Sequence, residues 1–260
     1  MTLFVLFSAV FCRLFLVANS QYVFSDKVTL LTAVAAWIVD ENVADATYGL
    51  INTWDVSQIT DMSELFKDRT TFNSGISNWD VSGVTTMQYM FQGASAFNSD
   101  VSGWNVGSVT DMEYMFNEAS AFNYDISGWN VSSVTTMSEM FHLASAFNQN
   151  VGAWDVSSVT NMAYMFHSAS VFNSDISGWD VGSVTNMHSM FRADTAFNQY
   201  ISGWDVSGVT SFSTMFYGAS SFNQQLCWDL TGKSADNIFT LTNGATTIVC
   251  PPTGQPLISL

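Results

Sequence analysis

The sequence predicts an α/β solenoid, and two observations lead to this fold class. A unit of 25 residues recurs with its tryptophan at a fixed spacing, and two hydrophobic periods alternate inside each unit. A fixed period of this size is typical of a repeat array whose units bury their apolar faces only against their neighbours. The tryptophans that open the units are Trp54, Trp79, Trp104, Trp129, Trp154, Trp179 and Trp204. An eighth, Trp228, arrives one residue early.

The two periods predict one short strand and one short helix in each unit. In residues 79–103, Trp79 and Val81 flank Asp80, and this alternation of apolar and polar residues indicates a short strand. The apolar residues that follow are spaced three and four apart, which indicates one face of a short helix with Thr85 as its cap. They are Met87, Met90, Phe91 and Ala94.

Segments on either side of the repeats predict the domain organisation. An apolar run followed by small residues at Ala18 and Ser20 is typical of a secretory signal peptide, although an uncleaved anchor or a buried helix are alternatives. Apolar residues spaced three and four apart between Ser25 and Asp40 indicate a capping helix. The predicted divisions are a signal peptide at 1–20, an N-terminal helical cap at 21–53, seven repeats at 54–227, and a C-terminal cap and tail at 228–260.

The charge of the chain limits its partners. Six basic residues against 22 acidic ones give a formal net charge of −16. Such a surface repels nucleic acid and anionic membranes, because both are bound largely through lysine and arginine. We therefore expect no nucleic acid partner and no membrane insertion once the signal peptide is removed. The charge favours cationic partners or divalent ions without choosing between them.

Two cysteines remain if the leading segment is removed. Cys227 and Cys250 flank the irregular last unit, and in a secreted chain such a pair predicts a disulfide. The alternative is two free thiols in a protein of the cytosol.

The repeated string W-D-V-S-x-V-T-x-M-x-x-M-F closely resembles the repeat of the BspA-like surface proteins. The match runs from Trp54 to about Leu230, and the segment from Leu30 to Trp37 is similar to the family's usual lead-in. The resemblance implies a right-handed, leucine-rich-repeat-like solenoid at the cell surface or outside the cell, and it loosely implies adhesion or recognition. It carries over no catalytic residues.

Three files of polar residues run along the repeats. An asparagine after phenylalanine is expected to satisfy backbone groups at buried turns, since its amide offers donors and an acceptor. The file of aspartate and asparagine after tryptophan is expected to cap turns, with calcium binding as the alternative. The threonine file before the predicted helices is expected to cap them, with ice binding as the alternative. The asparagines of the first file are Asn73, Asn98, Asn123, Asn148, Asn173, Asn198 and Asn223.

Positions that vary between repeats are where binding specificity is expected. The eleventh and fourteenth positions of the units lie on the predicted helical side and should face solvent. Exposed tyrosines among carboxylates suit sugar or peptide binding, because the ring stacks and the hydroxyl forms hydrogen bonds. The candidate binding residues are Glu64, Tyr89, Tyr114, Glu139, His142, Tyr164, His167 and Arg192.

These features predict a non-enzymatic protein, secreted or at the cell surface, that binds an extracellular protein or glycan. No catalytic residue, metal site or cofactor is predicted, because no nucleophile–histidine or zinc-ligand spacing is present. Asn130 opens the sequence Asn130-Val131-Ser132 and is a glycosylation candidate. A structural extracellular or wall protein, or a calcium- or ice-binding solenoid, are the alternative functions.

Overall fold

The computed structural model describes residues 21–247. The predicted signal peptide at 1–20, Cys250 and the predicted tail lie outside the described residues. Two α-helices, α1 (Lys27–Val39) and α2 (Glu41–Tyr48), and a 3₁₀ helix (Ile51–Thr53) precede the first repeat. Two short strands, β1 (Gln225–Leu226) and β2 (Thr246–Thr247), pair in parallel near the end of the described region.

Side-chain caps fix where the two helices begin. The Asp26 carboxylate accepts the backbone N–H of Thr29 at 2.8 Å, so α1 begins at Lys27 within the segment for which the spacing predicts a helix. Asp40 ends α1 and caps α2 by accepting the backbone N–H groups of the residues two and three positions later. Gly49 then ends α2 with a φ of +78°, a conformation that favours glycine.

The N-terminal segment covers the first tryptophan of the repeats. α1 buries Leu30 and Trp37, and the Trp37 ring contacts the Trp54 ring edge-on at 5.9 Å. Phe24 packs against the same indole at 5.1 Å, and its N–H donates to the carbonyl of Asp55 at 2.9 Å. This end of the repeats is therefore closed by apolar packing and by backbone hydrogen bonds.

From Trp54 onward the chain forms stacked coils built from turns, so the predicted α/β solenoid of strand–helix units is wrong. Between residues 54 and 247 the structure contains no α-helix, and its only strands are β1 and β2. Each coil pairs with the next through one isolated parallel bridge. The bridging residues are Asp61, Thr86, Asp111, Thr136, Asn161, Asn186, Ser211 and Ser234.

Backbone hydrogen bonds to the neighbouring coil replace the predicted helix. In an α-helix each N–H bonds to the carbonyl four residues earlier. Here the Tyr89 N–H donates instead to the carbonyl of Glu113 in the next coil at 2.9 Å, whereas the Gln92 N–H donates to Tyr89 three residues back at 3.1 Å. Tyr89 and Gly93 have φ values of +58° and +69°, which a right-handed helix does not allow. The apolar side chains are buried as a helix face would be, but the backbone follows another path.

The predicted strand is also wrong, for a local reason. Trp79 and Val81 are buried and Asp80 is exposed, as in a half-buried strand. The Asp80 carboxylate, however, accepts the backbone N–H of Ser82 at 3.0 Å and closes a turn. With neither element present, the right-handed, leucine-rich-repeat-like architecture that the resemblance implies does not describe these coils.

The core consists of columns of aromatic rings that run through the coils. Phe91 and Phe116 stack at 5.5 Å with an interplanar angle of 2°, and Phe97 and Phe122 continue a second column at 5.9 Å. In the tryptophan column the indole N–H of Trp104 donates to the carbonyl of Ile76 in the previous coil at 3.2 Å. Each coil therefore completes the packing and the hydrogen bonding of the one before it.

Residues after Trp228 continue the stack as a shortened eighth coil, although the sequence pattern degrades there. The Phe212 N–H donates to the carbonyl of Ser234 at 2.6 Å, and the Phe216 N–H donates to Ile238 at 3.0 Å. The acceptor lies 22 residues ahead of its donor here, compared with 24 in the earlier coils, as for Met87 and Asp111. The weakened hydrophobic pattern of this segment is therefore still sufficient to form the turns of a coil.

Candidate functional site

The positions that vary between coils form one continuous line of side chains, here called the variable stripe. It comprises the tenth, eleventh and fourteenth residues of seven successive coils. The eleventh residue of each coil has a positive φ, between +54° and +61°, so its side chain leaves the backbone at the same angle every time. These residues are Glu64, Tyr89, Tyr114, Glu139, Tyr164, Ser189 and Thr214. The fourteenth residues are Lys67, Gln92, Asn117, His142, His167, Arg192 and Tyr217.

The expectation that these positions simply face solvent is wrong for most of them. Glu64 is exposed, but the other seven candidate binding residues are half-buried, and Asn117 is 2% exposed. They are half-buried because side chains of adjacent coils pack on one another along the stripe. The stripe is therefore an ordered surface of interlocked side chains.

At the N-terminal end of the stripe, the ring faces of Tyr89 are covered. The Lys67 ammonium lies 4.8 Å from the Tyr89 ring centre, and the Tyr114 ring stacks on Tyr89 at 4.6 Å with an interplanar angle of 20°. Lys67 also lies 3.7 Å from the carboxylate of Glu64. A sugar cannot stack on a ring face that is already covered, so Tyr89 offers a ligand its edge and its hydroxyl.

The centre of the stripe is a hydrogen-bonded cluster of four side chains from two coils. The Tyr114 hydroxyl donates to Glu139 Oε1 at 2.6 Å, and the Asn117 amide donates to Glu139 Oε2 at 3.2 Å. His142 Nδ1 lies 3.1 Å from Glu139 Oε2 and 3.0 Å from Asn117 Nδ2. The hydrogen bond to Glu139, together with burial, raises the pKa of Tyr114 above its usual range, so this hydroxyl remains a donor.

His142 of this cluster stacks on His167, and the geometry of the pair does not suit a metal ion. The rings of His142 and His167 lie 4.5 Å apart and nearly parallel, so their in-plane lone pairs cannot converge on one ion. Residues 21–247 contain no group of three or more His, Cys, Asp or Glu residues that could hold a metal ion. Burial lowers the pKa of His167 to about 4, with further contributions from His142, Arg192 and His188, so His167 is neutral at physiological pH.

The C-terminal end of the stripe is aromatic and basic. The Tyr164 ring meets the His188 ring edge-on at 4.9 Å. The Arg192 guanidinium lies 5.0 Å from the centre of the Tyr217 ring, an arrangement that holds both side chains in place.

The stripe aligns all eight candidate binding residues and brings some of them into direct contact. Tyr114, Glu139 and His142 form one cluster, and His142 stacks on His167. Asn117 and Tyr217 occupy the fourteenth position but were not among the eight candidates, and His188 was missed. Asn117 bridges the cluster, and His188 and Tyr217 complete the basic end. The sequence does contain a signal for His188, because all three histidines fall within the same stretch of their repeats.

The asparagine file forms a ladder on the surface, where buried turns were expected. The Asn73 side-chain oxygen accepts the backbone N–H of Asn98 at 2.8 Å, and the pattern continues to Asn223, whose N–H donates to Asn198 at 3.1 Å. Asn98 and Asn223 are themselves exposed. Each amide therefore links two coils across the outer surface of the stack.

The remaining polar files also bond to the backbone. The predicted helix cap at Thr85 is wrong, because its hydroxyl donates to the carbonyl of Thr60 in the previous coil at 3.2 Å. Asn130 is exposed, and its side-chain oxygen accepts from the hydroxyl of Ser132 at 2.8 Å. Hydrogen bonds from Ser82 lower the pKa of Asp80, so this carboxylate stays charged as it holds its turn.

Cys227 is partly exposed, and its predicted partner Cys250 lies beyond the described residues. No helix in residues 21–247 is long and apolar enough to cross a membrane.

A search among curated proteins found no match to this chain. Residues 39–154 and 139–248 each match the family described as "Mycoplasma protein of unknown function, DUF285". The two matches overlap and together extend from residue 39 to residue 248, as expected for a chain of repeats. Because they cover most of its length, the chain belongs to the DUF285 family.

Proposed function

We propose that this protein is a non-enzymatic binding protein, secreted or held at the cell surface, and that the variable stripe binds an extracellular protein or glycan. The observation that carries the proposal is the stripe itself. Its side chains differ from coil to coil while the core columns repeat, and they include all three histidines of the chain. Residues that neither fill the core nor cap a turn are free to determine a specificity.

The packing of the stripe supports binding over a purely structural role. Contacts such as the Tyr114–Glu139 hydrogen bond hold the side chains before any partner arrives, which reduces the entropy lost on binding. Gln92 Oε1 and Asn117 Oδ1 are buried with no hydrogen-bond partner among the described residues. Buried polar atoms without partners cost stability, and such a cost is typical of sites selected for function.

Two further features support the exterior location. The signal-peptide pattern and the resemblance to BspA-like surface proteins favour export. A structural wall protein remains the second candidate, because the repeated core would serve it equally well. The calcium and ice alternatives have less support, since the aspartate and threonine files bond to the backbone.

A binding screen with matched variants tests the proposal. The purified chain would be applied to arrays of glycans and extracellular matrix proteins, alongside the variants Tyr114→Asn and Glu139→Gln. Asparagine tolerates the positive φ at position 114, so the first variant removes the ring with little backbone strain. Ser183→Ala is the control, because Ser183 is exposed and lies outside the stripe.

We expect selective binding that both stripe variants weaken and the control preserves. Binding that survives both changes would place the recognition surface elsewhere, and an absence of any partner would favour the structural alternative. Detection of the chain in the culture medium or on intact cells would test the location separately.

A further inference from the structure

Carboxylates are nearly absent from one region of this acidic protein. The chain carries 22 acidic residues against six basic ones. In the stripe-bearing arcs of the fifth, sixth and seventh coils, residues 160–172, 185–197 and 210–222, the only acidic residue is Asp194. Asp194 is fully buried, and burial raises the pKa of its carboxyl well above the ordinary value, so it adds little negative charge to the surface.

These arcs present a compact group of side chains, here called the basic patch. It consists of Tyr164, His167, His188, Arg192 and Tyr217, all of which are half-buried. Tyr164 lies between two imidazoles, with ring centres 5.7 Å from His167 and 4.9 Å from His188. Arg192 packs on Tyr217 in the next coil. Contacts between coils therefore hold the patch in one arrangement.

Arg192 has no acidic partner in the described region. Arg69 also has none, but its Nε atom is buried. Lys27 pairs with Asp61 at 3.0 Å, and Lys67 pairs with Glu64 at 3.7 Å. Lys233 donates to three backbone carbonyls of the seventh coil. Within residues 21–247, Arg192 takes part in no ion pair. An unpaired guanidinium that packs on a tyrosine ring, in a region almost free of surface carboxylates, provides a complementary site for an anion.

We propose that the basic patch binds the carboxylate of a sugar acid, as in a uronic acid residue of a glycan. This inference rests on the proposed function, because it names the ligand class of one end of the same stripe. The guanidinium would hold the carboxylate through two parallel hydrogen bonds. The hydroxyls of Tyr164 and Tyr217 and the imidazole of His188 would bind the sugar hydroxyls.

The charges around the patch favour a ligand with sparse negative charge. The patch is bounded by Glu139 in the fourth coil and Asp236 in the eighth. A densely charged polyanion would meet those carboxylates and a net charge of −16, whereas a single carboxylate among hydroxyls needs only the one permanent cation. We therefore favour a sugar acid over an acidic peptide and over nucleic acid.

Calorimetry with matched sugars and matched variants tests this assignment. The full chain would be titrated with a galactose oligomer that carries one terminal galacturonic acid and with the neutral oligomer of the same length, at low and at physiological salt. Arg192→Gln removes the guanidinium. Lys27→Gln is the control, because it makes the same charge change outside the stripe, in α1.

We expect the acidic oligomer to bind about tenfold or more tightly than the neutral one, with an affinity that falls as salt rises. Arg192→Gln should abolish the preference for the acid, whereas Lys27→Gln should leave it intact. Thermal melting of both variants would show that each is folded. Arg192→Lys should restore only part of the preference, because lysine cannot bind a carboxylate through a planar fork.

Three outcomes would overturn the inference. They are equal binding of the neutral oligomer, an unchanged preference in Arg192→Gln, and equal or tighter binding of a glutamate-rich peptide, which would reassign the patch to acidic peptides. The proposed function fails separately, if the array screen yields no partner that depends on Tyr114 or Glu139. If a partner binds through Tyr114 or Glu139 but the sugar acid does not bind through Arg192, this inference alone is refuted.

Discussion

The indole rings of Trp204 and Trp228 stack at 6.3 Å, yet only one of them has a hydrogen-bond partner. The indole N–H of Trp204 donates to the carbonyl of Ile176 at 3.1 Å. The indole N–H of Trp228 is buried and has no acceptor within residues 21–247. Trp228 arrives one residue early in the repeat, so its donor no longer meets the carbonyl 28 residues earlier that the repeat tryptophans from Trp79 to Trp204 use.

Replacing each of these tryptophans by phenylalanine should therefore have unequal effects. Both changes remove the same ring volume, but Trp204→Phe also loses a hydrogen bond, whereas Trp228→Phe removes an unsatisfied donor. We expect Trp204→Phe to lower the free energy of unfolding by about 1–2 kcal/mol more than Trp228→Phe does. Urea denaturation measures the difference. Trp179→Phe should behave like Trp204→Phe, and equal losses at 204 and 228 would contradict this account.

Leu143 occupies a position that glycine fills in two other coils, and replacing it should stabilise the protein. Its φ is +59° and its side chain is 40% exposed, while the equivalent Gly93 and Gly218 have φ values of +69° and +74°. Leu143→Gly should raise the free energy of unfolding by about 0.5–1 kcal/mol, because the relief of left-handed strain exceeds the added chain entropy.

The reverse change at Gly218 is the control for Leu143. A Cβ atom there would lie 3.7 Å from its nearest neighbour, so space is available and only the backbone conformation opposes alanine. Gly218→Ala should lower the free energy of unfolding by about 1 kcal/mol in the same denaturation experiment. Changes of the same sign at the two positions would show that the positive φ is not the cause.

Asp194 should destabilise the fold at neutral pH. It occupies a buried position where five other coils carry alanine, and one of its carboxyl oxygens has no partner among the described residues. Since folding raises the pKa of this carboxyl, the folded state binds the proton more tightly, and stability falls as pH rises above the ordinary value of 3.8. Asp194→Ala should therefore raise the melting temperature at pH 7.5 more than at pH 4. A uniform shift at both values would rule out ionisation as the reason.

His167 should make the fold less stable in acid, an effect of opposite sign. Its pKa of about 4 in the folded protein lies below the ordinary 6.5, so the unfolded chain takes up a proton first as pH falls between these values. Stability should decline over this interval and level off below it. Melting curves of Asp194→Ala, with and without His167→Gln, would isolate the histidine. An unchanged slope in the double variant would assign the acid sensitivity to another group.

The sequence predicts the core of this molecule better than it predicts the backbone. Phe141 and Met137 are buried as their repeated positions require. The same spacing of apolar residues fits a helix and a series of turns equally well, because it records which side chains point inward and not which hydrogen bonds the backbone makes. Two residues with positive φ in each coil exclude the helix and produce the turns. The residue types at these positions, such as Glu139 and Leu143, do not reveal that conformation.

For the candidate site, too, the sequence predicts which residues are involved but not how they contact one another. The variation at the eleventh and fourteenth positions identifies the stripe, since the fold does not dictate those residues. The contact between Tyr114 and Glu139, however, joins side chains 25 residues apart, and only the offset between stacked coils brings them together. The covered faces of Tyr89 could not be predicted for the same reason, because they depend on how adjacent coils pack.

The regular bonding between coils has a consequence for how such proteins change over time. Thr110 donates its N–H to Thr85, and Thr135 donates to Thr110 in the same way. If residues 104–128 were deleted, Thr135 would meet Thr85 with every aromatic column still in line. A gene encoding this chain can therefore lose or duplicate whole repeats without disturbing the fold. Each such event would lengthen, shorten or rearrange the stripe, so new combinations of surface residues can arise by recombination as well as by point mutation.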